Sequence, residues 1–236
     1  KIQQGIFEVL STNGDTFLGG DDFDQAIVNY WIAQNKLDYS NVSQDASLMQ
    51  ALRLKAEEAK KALTTQNIFN GMAADIACAI SKTTFEELIA AKVNQTIDCC
   101  ERALDDAQLS PSDIDEVIMV GGSTRTPLVK SLVAAFFQKP VHDQINPDEV
   151  GALGAAIQAD ILAGNRKDIL LLDVTPLSLG VETMGGLMDI IIPRNAKVPT
   201  KAGRQYTTSV DGQVNMKIAV YQGERDLINE NRKLAE

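Results

Sequence analysis

Three groups of residues have types and spacing that could do chemistry. The first is Gly121-Gly122-Ser123-Thr124-Arg125, set between the apolar run 116–120 and Thr126-Pro127-Leu128. An apolar strand, a glycine turn, and Pro at the first helical position behind a Thr cap make a strand-loop-helix junction. Such junctions hold nucleotides at the carboxyl end of the strand, because side chains are absent where the ligand approaches and helix amides face it. Arg125 has the reach to stack on a base or to bind a phosphate. A purely structural turn can carry the same letters. The second group is Leu18-Gly19-Gly20-Asp21-Asp22-Phe23-Asp24, where two glycines precede acids in the first turn of a helix expected to end near residue 35. Glycine there permits close backbone approach, and first-turn amides can bind an anion; a plain turn with a capped helix fits as well. The third lies on a helix expected over 47–64. Glu57, Lys60 and Thr64 fall at i, i+3 and i+7 on one face and offer an acceptor, a cation and a hydroxyl to a polar ligand. A solvated face laced with i,i+4 pairs such as Glu57 with Lys61 explains the same letters.

The elements that must position these groups read as mixed helix and strand up to about residue 167. Residues 2–10 form a short β-prone run closed by Asn13-Gly14-Asp15. The helix over 47–64 turns Leu48, Leu52, Ala59 and Leu63 inward. Thr83 and Glu86 read as a capping box for a long helix with Phe85, Leu88, Ile89, Val93, Ile97, Cys100 and Leu104 on its apolar face. Cys100 is thereby a buried structural thiol, and adjacent Cys99 and Cys100 have neither metal-pair spacing nor easy disulfide geometry. Asn146-Pro147-Asp148-Glu149 repeats the helix-start pattern before Gly151, Gly154, Ala155 and Ala156, small residues that suit a helix pressed on a sheet or ligand. His142, the single histidine, reads as a surface residue.

Composition removes several classes. The 236 residues are 44% hydrophobic and 23% charged, with a formal net charge of -10. Binding to a nucleic-acid backbone needs a clustered basic excess, so nucleic acid and acidic membranes are not expected partners. Three cysteines without zinc spacing, and no secretory signal at Lys1, fit a reducing, cytoplasmic setting. The chain starts inside a strand-like run and stops in a polar stretch, which reads as a piece cut at both ends.

Residues 168–174 break the pattern. Ile169, Leu170, Leu171 and Leu172 stand between Asp168 and Asp173, where a passive linker would be polar. Leaving four such side chains in water forgoes about 6–12 kcal/mol. The run is too short for a membrane span and suits a connector that docks as a strand. Beyond it, Pro and Gly divide short β-prone segments. Asp211-Gly212 predicts a hairpin between 205–210 and 213–221, with Val214, Met216, Ile218 and Val220 on one face, buried against a sheet or an extended guest peptide, and Asn215 and Lys217 turned away.

Read together, residues 18–24, the Gly121-Gly122-Ser123-Thr124-Arg125 turn, residues 146–149 and above all LLLDVTPLSLGVETMGG resemble a DnaK-type heat-shock chaperone over essentially the whole chain. QQGIFEV, GAAIQADIL and YQGERDLINENRKLAE are most similar to the HscA branch, dedicated to iron–sulfur cluster assembly. The resemblance implies the second lobe of an α/β actin-like ATPase domain over 1–167, with a helical and sheet subdomain at about 19–89. It further implies an interdomain linker over 168–174 and part of an all-β peptide-binding sandwich over 175–236. On this reading the ATP-binding residues are Gly20, Glu57, Lys60, Lys61, Thr64, Gly121, Gly122, Ser123, Arg125 and Asp148. Lys61 and Thr64 depart from the Arg and Ser of many relatives, which keeps charge and hydroxyl but loses a planar guanidinium. The peptide channel falls to Val181, Thr183, Met184, Tyr206, Ser209, Met216 and Ile218, and the allosteric linker to Ile169, Leu170, Leu171, Leu172 and Asp173.

The resemblance also implies ATP or ADP with Mg as cofactor, extended client peptides, a J-domain co-chaperone and an iron–sulfur scaffold protein as partners, and a bacterial cytoplasmic location. The family's phosphate loops and the groups that hold magnesium and position the attacking water belong to sequence before Lys1. The intact protein is therefore expected to be an ATPase, and this piece to hold no catalytic residue and no metal ligand. A general protein-folding DnaK, a small-molecule kinase of the same actin-like fold and a nucleotide-independent peptide-binding module are the alternatives.

Overall fold

The apolar periodicity of the first half of the chain condenses into a helical layer on a hairpin. In the computed structural model, which describes residues 1–143, 146, 149–166, 168–208 and 210–236, contacts divide the chain into two units. One comprises residues 14–157, the other 1–13 with 158–236.

In the unit 14–157, α1 (Gly20–Gln34) buries Phe23, Ile27, Val28, Trp31 and Ile32 along one stripe. Next come the short α2 (Tyr39–Gln44) and α3 (Ala46–Ala62), whose Leu52, Ala56 and Ala59 are fully buried. The antiparallel hairpin β3 (Ile68–Ala73) and β4 (Ile76–Ser81) follows, then α4 (Lys82–Ala107). Trp31 stacks on Phe69 with ring centroids 6.3 Å apart, and its indole N–H donates to the Ala79 carbonyl at 3.0 Å. The pair fastens α1 to the hairpin, giving the indole both an apolar body contact and a partner for its donor. The parallel pair β5 (Val117–Ile118) and β6 (Val141–His142) flanks α5 (Pro127–Phe137). The helix α6 (Val150–Leu162) comes next in the chain.

In the unit formed by 1–13 and 158–236, β1 (Ile2–Gln3) and β2 (Ile6–Glu8) form a hairpin through Gln4 and Gly5, both with positive φ. The strand β7 (Leu170–Leu172) adds to β2 in parallel, with Ile6 opposite Leu170, Phe7 opposite Leu171 and Glu8 opposite Leu172. A second sheet has the order β11-β10-β8-β9, where β8 is Leu179–Thr183, β9 Leu187–Ile192, β10 Val220–Gln222 and β11 Arg232–Ala235. Buried Ser178 pins this sheet: its N–H donates to Glu224 Oε1 at 2.6 Å and its hydroxyl to Oε2 at 3.2 Å, while the Arg194 N–H donates to its Oγ at 2.9 Å.

Several expectations change. The long helix is capped two residues earlier than Thr83, by Ser81 Oγ accepting from the Thr84 N–H at 3.1 Å, because β4 runs straight into it. Thr126 holds the cap position of α5 but makes no side-chain capping bond. The turn after the first strands falls at Thr16-Phe17, where Asp15 Oδ1 accepts from the Phe17 N–H at 2.8 Å. The helix α6 buries none of its residues, and no atom outside the helix's own backbone lies within 4 Å of where a Cβ on Gly151 or Gly154 would stand. Its small residues thus have no close-packed neighbour among the described residues. The Asp211-Gly212 turn forms, with Gly212 at φ +77° and the Gln213 N–H donating to the Val210 carbonyl at 3.4 Å, but the flanking strands do not. A strand needs a ladder partner, and pairing begins only at β10. Asn215 and Lys217 are exposed as expected, but Val214, at 90%, and Met216 and Ile218 are exposed too, and burial begins only at Ala219 and Tyr221.

Candidate functional site

Two clefts, one in each unit, collect the residues singled out by sequence. In the unit 14–157, the N-terminus of α1 supplies Gly20, the end of α3 supplies Glu57, Lys60 and Lys61 with Thr64 just beyond, and the 3-10 turn Gly122–Arg125 supplies the opposite wall. They enclose a cavity of about 520 Å³ lined by Gly20, Glu57, Lys60, Lys61, Thr64, Gly122, Ser123, Arg125 and Thr126. That volume lies within the range of about 300–1,000 Å³ typical of small-molecule sites. Gly121 sits at the mouth of the turn with φ +88°, a conformation that favours glycine. Asp148 lies outside the described residues.

Each wall is fixed locally. Asp22 accepts from the Gly19 N–H at 2.8 Å and receives Lys92 at 3.3 Å, which together hold its carboxyl below the usual range. Lys60 Nζ donates to Asp24 Oδ2 at 2.7 Å and to the Gly20 carbonyl at 3.1 Å, so it stands between α1 and α3. A Cβ on Gly20 would lie 3.1 Å from Lys60 Nζ and 3.6 Å from Ser123 Oγ, which makes this the narrow point of the cleft. Asp24 is 9% exposed, and burial pushes its carboxyl up while Lys60 pulls against that. Lys61 pairs with Glu57 at 2.7 Å, lowering the Glu57 carboxyl and raising the Lys61 ammonium. Arg125 reaches Asn146 Oδ1 at 3.4 Å, and the Thr124 hydroxyl donates to the Gly121 carbonyl at 2.7 Å, closing the glycine turn on itself. The lining thus carries three cations against one carboxylate, with two glycines and three hydroxyls, a donor set that suits a polyanionic ligand bearing a polar ring. ATP or ADP fits this chemistry. Among the described residues there is no group of three or more His, Cys, Asp or Glu side chains arranged to hold a metal.

The second cleft, of about 670 Å³, lies in the unit containing the four-stranded sheet. It brings together Val181, Thr183, Met184, Tyr206, Met216 and Ile218; Ser209 lies outside the described residues. The residues missed by sequence are Glu182, Thr207, Thr208, Gln213 and Lys217, which add polar groups to the rim. Strand alternation turns Glu182 away from Val181 and Thr183 and Lys217 away from Met216 and Ile218, so it pointed against both, and 207–208 belong to an irregular segment with no periodic signal. Met184, Met216 and Ile218 are exposed, so the cleft offers apolar surface to a ligand.

Of the residues assigned to a linker by sequence, Leu170, Leu171 and Leu172 form the strand β7 and line neither cleft. The Leu170 N–H donates to the Gly5 carbonyl at 3.0 Å and the Leu172 carbonyl accepts from the Val9 N–H at 2.9 Å. Gly5 is required here, because a Cβ would run into the Asp168 carbonyl. Leu170 and Leu171 remain 50% and 42% exposed, so docking is made by backbone more than by side-chain burial. Ile169 is partly buried just before the strand, and Asp173 follows it, accepting from the Val174 N–H at 2.8 Å. The same unit ties residues 1–13 to 194–197: Lys197 pairs with Glu8 at 2.5 Å, and the Thr12 N–H donates to Asn195 Oδ1 at 2.9 Å. Pairing of β2 with β7 is why contacts group residues 1–13 with 158–236, whereas the sequence boundaries fall at 168 and 175.

Among known proteins, a family model described as Hsp70 protein matches residues 1–236. A Shewanella frigidimarina protein named "Chaperone protein HscA homolog" is 46% identical over 241 residues, covering 100% of this chain and 38% of the relative. Proteins of the same name from Pasteurella multocida and Haemophilus influenzae are each 47% identical over 238 and 236 residues. The chain thus spans about 38% of the length of the curated relatives it matches. With the match running from the first residue to the last, the chain belongs to the Hsp70 family.

Proposed function

We propose that the chain is the central part of an ATP-dependent chaperone of HscA type, coupling ATP binding and hydrolysis to the capture and release of extended peptides. It comprises the second lobe of an actin-like ATPase domain over 1–167, the linker over 168–174 and part of a β-sandwich over 175–236. The observation that carries this reading is the convergence of Gly20, Glu57, Lys60, Lys61, Thr64, Gly122, Ser123 and Arg125 on one cationic cavity from three separated segments. In that cavity Lys60 and Arg125 neutralise phosphate charge, Gly20 and Gly122 let phosphate or sugar approach the backbone, and Glu57 and Thr64 accept and donate to the adenosine. ATP, when bound with Mg, supplies the hydrolysable bond whose loss resets the peptide cleft. In that cleft Met184, Met216 and Ile218 grip apolar side chains of an extended client, with Val181, Thr183 and Tyr206 beside them.

The expected partners are client peptides, a J-domain co-chaperone and, on the HscA reading, an iron–sulfur scaffold protein, in the bacterial cytoplasm. Among the described residues no helix is long and apolar enough to cross a membrane. Binding to an iron–sulfur scaffold would separate this reading from a general protein-folding chaperone of the same family. Because the family's phosphate loops fall outside this chain, the purified 236-residue chain is expected to show no ATP turnover. The check is steady-state phosphate release with an Arg125→Ala control. Turnover that persists after contaminating chaperone is removed, and that falls with Arg125→Ala, overturns the assignment of catalysis to other parts of the protein.

A further inference from the structure

The segment 200–208 forms one wall of the second cleft, yet no residue of it belongs to a strand. Something other than a β-ladder must hold Tyr206 in place. Tyr206 donates its phenol hydrogen to Asp189 Oδ2 at 2.6 Å, and Arg204 pairs with Asp189 Oδ1. Asp189 lies on β9, which is paired along its length with β8, the strand that supplies Val181, Glu182 and Thr183 to the cleft. Its side chain is three-quarters buried, and its two oxygens are divided between the two partners. One rigid strand thereby grips an irregular segment at two points two residues apart.

We propose that Asp189 is a positioning residue for peptide binding, a buckle that fixes segment 200–208 through Tyr206 and Arg204 and so sets the width of the cleft. This deepens the chaperone reading and rests on it. Asp189 itself does not line the cleft, so its influence passes through Tyr206. A hydrogen bond to an ionised acceptor is among the stronger ones, and a phenol ring held at its hydroxyl end keeps one face toward the ligand. Loss of the buckle lets the wall swing, which shortens the lifetime of a bound peptide more than it slows its entry, since affinity within one interface changes chiefly through the off-rate. Tyr206 and Arg204 both hold the Asp189 carboxyl below the usual range, and burial, with the Asp189 carboxylate beside it, raises the Tyr206 phenol. The buckle therefore stays closed from mild acid to well above neutrality.

The test is the dissociation rate of a labelled extended apolar peptide from the protein extended to the length of its relatives, its Tyr206→Phe and Asp189→Asn variants and the double variant. Tyr206→Phe is expected to speed release several-fold and Asp189→Asn, which also loses the Arg204 ion pair, about 10-fold, with the double no faster than Asp189→Asn, because the Tyr206 bond is lost in all three. Two further readouts separate positioning from a general loss of stability. Thermal melting should be nearly unchanged, and NMR should show the Asp189 carboxyl titrating below the ordinary range in the parent and returning toward it in Tyr206→Phe. Singles with no effect, or effects that multiply in the double, overturn the buckle. If the parent binds no peptide, the chaperone reading fails, and the Asp189 titration still decides the buckle: an Asp189 carboxyl insensitive to Tyr206→Phe excludes it.

Discussion

Lys60→Met is expected to destabilise the unit 14–157 by about 3 kcal/mol at neutral pH and, on the proposed reading of the cleft, to remove affinity for adenine nucleotide. The first effect follows from Asp24. Removing one partner of a buried ion pair leaves the other charge in a poorly solvated place, and such losses run to about 3–5 kcal/mol. The Asp24 carboxylate is nine-tenths buried, its Oδ2 takes Lys60 at 2.7 Å, and its Oδ1 has no partner among the described residues. The second effect follows from Lys60 standing at the narrow point of the cleft beside Gly20 and Ser123. The pH dependence has a definite sign. Burial already raises the Asp24 carboxyl and Lys60 is the largest influence opposing it, so the variant's Asp24 titrates higher still. A carboxyl raised on folding favours the folded state when protonated and loses that advantage as pH rises through its folded value. The deficit of Lys60→Met should therefore shrink between neutral pH and pH ~5. Urea denaturation at the two pH values measures it, and a deficit that is constant or grows in acid contradicts the role given to Asp24.

On the proposed chaperone reading, Leu171→Asp combined with Leu172→Asp is expected to uncouple the two clefts in the protein extended to the length of its relatives. Peptide stimulation of ATP hydrolysis is expected to vanish while nucleotide affinity stays nearly unchanged. The register explains why. Leu172 stands opposite Glu8 and Leu171 opposite Phe7, so the variant places one carboxylate against an acid and another against an aromatic, between Asp168 and Asp173. Coupling between sites usually amounts to about 1–3 kcal/mol, less than the full burial of two leucines, so partial burial as seen for Leu170 and Leu171 is enough to carry it. Steady-state hydrolysis with and without peptide checks the outcome. Stimulation that survives both aspartates makes 168–174 a mere tether.

What the sequence disclosed depended on how far apart the interacting residues lie. The stripes of α1, α3 and α4 were legible because a helix writes its core face every three or four residues. The polar face of α3 was legible for the same reason, and with it Glu57, Lys60 and Thr64. The hairpin β3–β4 was not, since Ala74 takes the positive φ at its turn without the glycine that signals one. Pairing of β7 with β2 joins residues more than 160 positions apart, and four aliphatics in a row announce a strand without naming its partner. The bond from Lys60 to Asp24 crosses 36 positions and from Tyr206 to Asp189 17, distances at which no local pattern exists. The alternation over 213–221 did signal an apolar ribbon, but whether such a face is buried is decided by what packs on it, and Val214, Met216 and Ile218 stay exposed.

The most direct test of nucleotide-governed peptide capture is the release rate of a labelled extended peptide from the protein at the length of its relatives, measured with ATP and with ADP. Release is predicted to be at least about 10-fold faster with ATP, which corresponds to a coupling of about 1.4 kcal/mol, in the lower half of the usual range. Equal rates with the two nucleotides would contradict the account.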